Sequence, residues 1–397
     1  MGFTELVVFL AITMALNALA IDVVLPGLPY IGRELAVAQD NHRQLVIVVY
    51  LASMGVSQLL QGPLADRIGR RPTLLYGLAV YTVGGGLCAL APSFAMLLAA
   101  RALQGLGAGA LRVVAVSIAR DRYHGTEMAR VMSLVTMVFM AVPLIAPTLG
   151  QGIVWVASWR WVFGVVALGG LAVAAWASAR LDETLTAERR RSMAPRAIAR
   201  AVAEVVTTRA TLVPMLAMMV VNGALMAYVT SAQQIFQETY GAGGWFTVLF
   251  AMVALTISVA AFTNASLVRV LGPERMARCA VHAFIVVAAV HTVLALTGHL
   301  PLAVFEILTC LQMLCSGFVG SNLNALAMEP MGHLAGTASS VIGAVTTVGS
   351  AIVGGLIGNA YDGTPRPFVV GTLALVVLTR VLMAFARREE HVIARTA

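Results

Sequence analysis

The stretch "GPLADRIGRRP", Gly62 to Pro72, is the most polar passage in the first quarter of a chain that is otherwise apolar. It stands between two long apolar runs and holds one acid, Asp66, directly before the first of its arginines, Arg67. A tight turn with membrane-orienting charges explains the arginines. It does not explain the acid. The stretch is therefore interpreted as a loop that joins two membrane spans and takes part in a conformational movement.

Composition places the whole chain in a membrane. Of 397 residues, 59% are hydrophobic and 11% are charged, whereas soluble domains contain about 25% charged residues. Apolar runs of about 20 residues recur along the length, which predicts an all-α polytopic membrane protein. The first run has no basic segment before it and no cleavage site, so it is interpreted as a retained span. Twelve transmembrane helices are predicted near residues 3–25, 44–63, 73–91, 94–119, 129–153, 160–179, 211–237, 244–266, 279–298, 302–325, 337–360 and 368–386.

The longest interruption, 180–210, contains seven arginines and four acids. It predicts a cytoplasmic linker between two six-helix halves, residues 1–179 and 211–397, the second ending in a short cytoplasmic tail. A weak repeat supports this division, because "ASLVRVLGPER" (265–275) follows span 8 where the opening stretch follows span 2. Internal repeats of this kind are common in transporters.

Arginine distribution predicts the orientation. Nineteen of the 26 arginines fall in or beside loops 64–72, 120–128, 180–210, 267–278 and the C-terminal tail, and four fall in the alternate loops. Basic residues concentrate in cytoplasmic loops. Both termini are therefore predicted to be cytoplasmic.

The absence of lysine removes several kinds of chemistry. All 26 basic residues are arginine, so the chain lacks the lysine of a phosphate-binding loop and of Schiff-base cofactors. Transport against a gradient would then need an ion gradient rather than ATP. The four cysteines have no CxxC spacing and are interpreted as buried thiols, with no metal and no cofactor expected.

Ionisable residues inside spans are costly and are candidates for function. Asp22 near the outer end of span 1 and Arg101 in span 4 are predicted to share a depth and to couple transport to protons. An interfacial acid at the Pro26 bend is the alternative for Asp22. Glu306, a few residues inside span 10, is a second coupling candidate.

Span 4 carries a polar series at helical spacing, formed by Arg101, Gln104, Ala108 and Arg112. Since eleven residues return a helix to nearly the same face, the series predicts one stripe facing a central cavity. Arg112 could instead extend towards the cytoplasmic surface. Other predicted cavity residues are Asn222, Gln233, Gln234, Phe236 and Met137, although the amides could simply bind neighbouring helices.

The opening stretch resembles the signature between spans 2 and 3 of the Major Facilitator Superfamily. The matching residues are Gly62, Leu64, Asp66, Arg67, Gly69, Arg70, Arg71 and Pro72. The resemblance implies that this loop is a cytoplasmic gate that latches the two halves in the outward-facing state.

Further stretches resemble one branch of that family. "RALQGLGAGALR" in span 4 is similar to its second motif, although Arg112 is not a general family residue. "PLIAPTLGQG" in span 5 resembles the antiporter motif through Pro143, Pro147 and Gly150. "AIDVVLPGLP", "SAQQIFQ" and "ALAMEPMGHLAGTASS" resemble the bicyclomycin- and chloramphenicol-resistance type of multidrug exporter.

The resemblance implies a monomeric secondary exporter of lipophilic small molecules in the inner membrane of a bacterium, driven by proton antiport through alternating access. A proton-coupled symporter that imports a sugar or organic acid is the alternative. An enzyme is not expected, because no nucleophile or HExxH arrangement is visible, and nothing in the sequence suggests nucleic acid as a partner.

Overall fold

The computed structural model of the chain describes residues 1–186, 195–298 and 300–396. Part of the predicted linker, including Glu188 and arginines 189–191, lies outside the described residues. Within those residues the secondary structure is helical and contains no strand. The chain divides into two compact units, Met1–Ile198 and Ala199–Ala397.

The first unit contains six long helices and one short one. The long helices are α1 (Phe3–Asp22), α3 (Leu45–Ile68), α4 (Arg70–Ala89), α5 (Phe94–Arg122), α6 (Gly125–Val156) and α7 (Arg160–Arg180). The short helix α2 (Leu28–Glu34) follows α1 after a 3-10 turn that contains Pro26. Proline lacks an N–H and cannot continue the helix, so α1 ends before the predicted boundary at residue 25.

The second unit repeats this organisation. Its long helices are α9 (Arg209–Gln234), α10 (Phe246–Leu271), α11 (Pro273–Leu296), α12 (Leu302–Met328), α13 (Ala335–Asn359) and α14 (Arg366–Thr396). A shorter helix, α8 (Pro195–Thr207), precedes α9.

The number of membrane-crossing helices agrees with the number predicted from the sequence. Eleven helical segments of the described chain are long and apolar enough to span a bilayer, and one of them, Leu302–Asn359, is 58 residues long. A crossing needs about 20 residues. This long segment contains α12 and α13, joined by the 3-10 turn Glu329–Leu334. The prediction of a twelve-helix, all-α polytopic membrane protein is confirmed.

The two units pack their helices by the same scheme. Numbered as spans, pairs 2–4, 3–4, 3–6, 1–5, 1–6 and 1–4 of the first unit correspond to pairs 8–10, 9–10, 9–12, 7–11, 7–12 and 7–10 of the second. A shared set of helix neighbours is the structural counterpart of the weak sequence repeat. Each unit is therefore one copy of the same six-helix fold.

The stretch 62–72 is almost entirely helical, whereas the sequence predicts a loop over residues 64–72. Helix α3 continues to Ile68 and α4 begins at Arg70, so only Gly69 separates them. The expected loop 64–72 was wrong in extent, because residues up to Ile68 remain in the helical hydrogen-bond pattern, with the Gly69 N–H donating to the Ala65 carbonyl at 3.2 Å. Gly69 has φ of 110°, a conformation that favours glycine.

Candidate functional site

Arg101 is fully buried and joins three helices of the first unit. Its Nε donates to the Val46 carbonyl of α3 at 2.9 Å, and its Nη2 donates to the Ala20 carbonyl of α1 at 3.1 Å. Its Nη1 donates to Gln104 Oε1 at 2.8 Å, within α5. The guanidinium also lies 4.3 Å from the ring centroid of Tyr50, a distance suited to a cation–π contact. Neutral acceptors from several helices thus hold this positive charge.

Asp22 lies two residues after Ala20, at the end of α1, and its side chain is 6% exposed. The described residues provide no hydrogen bond or ion pair to its carboxyl group, and Arg101 directs its donors elsewhere. The predicted interaction between Asp22 and Arg101 is therefore indirect. Arg101 binds the backbone of α1 beside Asp22, and the carboxyl group itself has no counter-charge.

The antiporter-like segment crosses α1 next to this acid. Pro143 and Pro147 lie inside α6, where each removes a backbone donor. Further along α6, Gly150 lies against the carbonyl group of Val23, so closely that a Cβ at position 150 would collide with it. The helix segment that carries the motif thus packs on the residue that follows Asp22.

The polar series on α5 does not form a single stripe facing one cavity. Arg101, Gln104 and Ala108 are buried, whereas Arg112 is exposed. The four residues were expected to face one central cavity. In this structure they do not, because α1 and α3 cover α5 around Arg101. Arg112 forms no hydrogen bond or ion pair with the described residues. Met137 on α6 is also exposed, at 49%.

In the second unit, the predicted cavity residues near the end of α9 are buried. Gln233 donates from Nε2 to Gln237 Oε1 at 2.9 Å, at the start of a π-helical turn, Ile235–Thr239. Gln234 is buried, and its carbonyl accepts a hydrogen bond from the Tyr361 hydroxyl at 3.3 Å. Asn222 is half-buried. The π turn that follows Gln233 and Gln234 contains Phe236, which belongs to an aromatic cluster.

That cluster surrounds Phe236, which is fully buried. Its ring centroid lies 5.9 Å from that of Phe305 and 6.3 Å from that of Phe246. His291 contacts the same cluster, 5.1 Å from Phe305 between centroids. Phe236 therefore belongs to the core of this unit in the present conformation.

Glu306 on α12 is the buried acid among the acids of the second unit whose side chains the structure describes, with 3% exposure. Its Oε1 accepts a hydrogen bond from the Cys310 Sγ at 3.7 Å, and its Oε2 is buried with no partner among the described residues. The weak thiol donor satisfies little of the hydrogen-bonding capacity of a carboxylate.

The residues predicted to form a gate take part in a network at the junction of α3 and α4. Arg70 donates from Nη1 to Asp66 at 2.6 Å and from Nε to Asp121 at 2.8 Å. The Glu183 carboxylate accepts from the backbone N–H groups of Arg70 and Arg71, at 2.9 and 3.2 Å. An acid at this position stabilises the first turn of a helix.

Sequence reasoning missed Asp121 and Glu183 as partners of this loop. Both follow apolar spans among several charges, at the ends of α5 and α7. Their charge was visible in the sequence, but their proximity depends on how the helices pack. The described residues contain no group of three or more His, Cys, Asp or Glu side chains arranged for a metal ion.

Comparisons with known proteins agree with this architecture. The family model of the Major Facilitator Superfamily matches residues 10–354. The chain is 30% identical over 375 residues to the uncharacterized MFS-type transporter YdgK of Bacillus subtilis, covering 92% of this chain and 93% of that protein. It is 30% identical over 373 residues to the bicyclomycin resistance protein homolog of Haemophilus influenzae, covering 93% of each chain.

Two further proteins extend the comparison. The multidrug resistance protein MdtL of Escherichia coli is 30% identical over 336 residues, covering 84% of this chain and 83% of that protein. The crystal structure of the human organic anion transporter MFSD10 (TETRAN) superposes with a TM-score of 0.68 at 16% identity, covering 96% of this chain and 99% of that chain. With its duplicated six-helix fold and a family match over most of its length, this multi-pass membrane protein belongs to the Major Facilitator Superfamily, whose members are transporters rather than enzymes.

Proposed function

We propose that the chain is a secondary active exporter of lipophilic small molecules, driven by proton antiport through alternating access. The observation that carries this proposal is the buried Asp22 carboxyl group, which has no partner among the residues that the structure describes and lies beside the crossing of α1 and α6. An intramembrane acid of this kind is a candidate for function by default, and proton transfer is one of the roles that such acids serve. We place the transporter in a bacterial inner membrane as a monomer with both termini in the cytoplasm.

Two relatives support drug export as the direction and substrate class. They are named as a bicyclomycin resistance protein homolog and a multidrug resistance protein. Each is similar to this chain along most of its length, and the antiporter-like prolines of α6 are present here. These features favour an exporter over the alternative of an importing symporter.

The surroundings of Asp22 suggest how a proton is exchanged. A carboxylate without a counter-charge is costly in a dry site, so the protonated form is favoured while the site is closed. When the site opens to water, hydration stabilises the charged form and the proton leaves. A conformational change that alters the hydration of Asp22 therefore couples proton entry to the movement that returns the transporter to its starting conformation. By linkage, a substrate that prefers one protonation state of Asp22 alters proton binding in return.

Other residues take supporting roles in this proposal. Arg101 positions the end of α1 through the Ala20 carbonyl, and Gln104 holds the Arg101 guanidinium. Arg112 and Met137 are the substrate-contact candidates of the first unit because their side chains are exposed. The amides Asn222, Gln233 and Gln234, with Phe236, are candidates in the second unit if substrate opens the buried end of α9.

The test is transport in proteoliposomes with an imposed pH difference. Asp22→Asn keeps the size of the side chain but cannot carry a proton, so it is expected to abolish accumulation against a substrate gradient. Equilibrium binding of neutral substrates is expected to persist. The exposed acid Asp40 provides a matched control, and Asp40→Asn is expected to transport like the unmodified protein. If Asp22→Asn still concentrates substrate, the proposal for Asp22 fails and Glu306 becomes the coupling candidate.

A further inference from the structure

An acid, a tryptophan and an arginine fasten the short helix α2 to the N-terminal end of α7. Glu34, the last residue of α2, accepts a hydrogen bond from Trp159 Nε1 at 2.6 Å and one from Arg160 Nη1 at 2.7 Å. The Arg160 guanidinium lies 4.4 Å from the Trp159 ring centroid, so the three side chains form one cluster. Trp159 is 2% exposed, and a buried indole N–H usually has an acceptor. We call Glu34, Trp159 and Arg160 the α2 clamp.

The second unit shows which part of the α2 clamp belongs to the duplicated fold. Arg160 also donates from Nη2 to the Ala91 carbonyl, just after α4, at 3.0 Å. At the corresponding place in the second unit, Arg366 at the start of α14 donates from Nε to the Ala295 carbonyl of α11 at 3.3 Å. Arg366 has no carboxylate partner among the residues that the structure describes. The bond from arginine to carbonyl is thus common to both units, whereas the carboxylate and the indole are additions in the unit that contains Asp22.

The segment that joins α1 to α2 packs beside the α2 clamp. A Cβ added to Gly27 would lie 3.7 Å from the Trp159 Cβ, which is ordinary van der Waals contact. The 3-10 turn Leu25–Gly27 also packs against α6. Residues 23–25 are at most 1% exposed. The residues that follow Asp22 are therefore enclosed by α6 and by the residue that precedes α7.

The α2 clamp also reaches the guanidinium that binds the backbone of α1. Trp159 packs edge-on against Phe163, with 5.9 Å between the ring centroids. Phe163 in turn lies 5.5 Å from the Arg101 guanidinium, measured from Cζ to the ring centroid. Arg101 donates to the Ala20 carbonyl, two residues before Asp22. The chain is thus held on both sides of Asp22 by contacts that lead back to Trp159.

The ion pair of the α2 clamp is partly exposed, because 30% of the Arg160 side chain and 51% of the Glu34 side chain are accessible. Exposed ion pairs contribute little to the stability of a fold. The loss of Glu34 would instead leave a buried indole N–H without its acceptor, which favours local opening at α2. We infer that Glu34 is a positioning residue for Asp22: it holds α2 against α7 and thereby keeps water away from the Asp22 carboxyl group. The inference deepens the proposed function, on which its importance for transport rests.

Carbodiimide labelling of Asp22 tests the inference without transport. A water-soluble carbodiimide with glycine ethyl ester converts a carboxyl group that water reaches into an amide, which peptide mass spectrometry detects. The purified protein in lipid nanodiscs is labelled at one pH, and Asp22 and Glu306 are measured in the same sample. Glu34→Ala is expected to raise the labelling rate of Asp22 by at least about fivefold, while the rate at Glu306, in the other unit, changes by less than about twofold.

Further variants separate positioning from folding. Trp159→Phe keeps an aromatic ring but removes the N–H, and it is expected to raise the labelling of Asp22 as Glu34→Ala does. Glu34→Gln keeps one acceptor oxygen for the indole and is expected to give an intermediate rate. Asp40→Ala removes an exposed acid that follows α2, and Arg366→Gln removes the arginine-to-carbonyl bond of the second unit. Both are expected to leave the labelling of Asp22 unchanged.

Unchanged labelling of Asp22 in Glu34→Ala would overturn the inference. An equal rise at Asp22 and Glu306 would also overturn it, because it would indicate general loosening. The export assay with Asp22→Asn reports on the proposed function alone. Loss of export in Asp22→Asn with unchanged labelling in Glu34→Ala would refute only the positioning role. Raised labelling in Glu34→Ala with continued export by Asp22→Asn would refute only the proton exchange.

Discussion

Arg101 and Arg112 show how one helix can hold two arginines in opposite environments. Both lie on α5, eleven residues apart and therefore on nearly the same face. Arg101 is buried among carbonyl acceptors, whereas Arg112 is exposed and forms no bond with the described residues. An unpaired guanidinium deep in a membrane helix is tolerated only beside water or a ligand. The proposed contact with substrate and an extension towards the cytoplasmic surface both satisfy this requirement, and they predict different effects of replacing Arg112.

This difference leads to a prediction for substrate preference. Arg112→Ala is expected to raise the ratio of cationic to neutral substrate efflux, by about threefold or more, because the variant removes a permanent positive charge that repels cations. Efflux of matched charged and neutral substrates from cells measures the ratio. Arg33→Ala, which removes an exposed arginine near the end of α2, is the control. An unchanged ratio would show that Arg112 extends to the membrane surface and does not meet substrate.

The helical spacing of Arg101 and Arg112 could be predicted from the sequence, but their environments could not. Spacing fixes the angle of each side chain around α5. The cover provided by α1 and α3 is a tertiary property, visible only through contacts such as those of Arg101 with Ala20 and Val46. The same reason explains why Gln104 was expected in a cavity and is found buried.

At the scale of elements, the junction of α3 and α4 depends on a network rather than on one salt bridge. Arg70 is held between Asp66 and Asp121, and Glu183 binds the first N–H groups of α4. The network fixes the N-terminal end of α4 to the segment that follows α7. The acid of the opening stretch is thus one of several carboxylates that bind this junction.

Asp66→Asn tests the proposed gating role of this junction. The variant keeps the shape of the side chain but removes its charge, so the ion pair with Arg70 weakens while Asp121 remains. Transport is expected to slow by about threefold to tenfold, and substrate affinity is expected to change by less than about twofold. Initial rates in proteoliposomes and equilibrium binding provide the two values. Equal losses in both measurements would contradict a gating role.

The crossing of α1 and α6 provides a second test at this scale. Gly150→Ala introduces a Cβ into the position occupied by the Val23 carbonyl group, so the helices must separate next to Asp22. Overpacking of this kind costs about 1 to 3 kcal/mol, and transport is expected to fall at least about tenfold.

Gly152 offers a matched control on the same helix. A Cβ at this position meets no atom within 4 Å, so Gly152→Ala is expected to transport normally. Size-exclusion profiles of both variants report whether they fold. Equal activity of the two variants would show that the close crossing is not required.

At the scale of the whole molecule, hydropathy predicted the helices and the weak repeat indicated the duplication. The repeat had only Leu64 with Leu267 and Gly69 with Gly272 in common. The structure shows the same pairs of neighbouring helices in both units. Helix packing depends on the pattern of small and large residues rather than on their identity, so the fold is preserved where the sequences have diverged. The pocket of about 320 Å³ beside Glu306, between α10 and α12, could not be predicted, because it depends on how these two helices pack.

The arginines predict the orientation of the molecule, and a labelling experiment tests it. The predicted loop 267–278 is helical except at Gly272, where α10 and α11 meet, and this junction belongs to the arginine-rich set, whereas the loop between α13 and α14 belongs to the alternate set. Each contains an exposed acid that can be replaced by cysteine, Glu274 and Asp362. In a background without the native cysteines, a membrane-impermeant maleimide is expected to label Asp362→Cys in intact cells. Glu274→Cys should be labelled only in inside-out vesicles.

Labelling of both sites after permeabilisation controls for accessibility. The arginine asymmetry is large, because 19 arginines lie on one predicted side and four on the other. Each arginine on the wrong side would have to be translocated across the membrane during insertion, which opposes the reverse orientation. Labelling of Glu274→Cys in intact cells would reverse the predicted topology. It would place the Asp66 network at the outer face, where the proposed cytoplasmic gate could not operate.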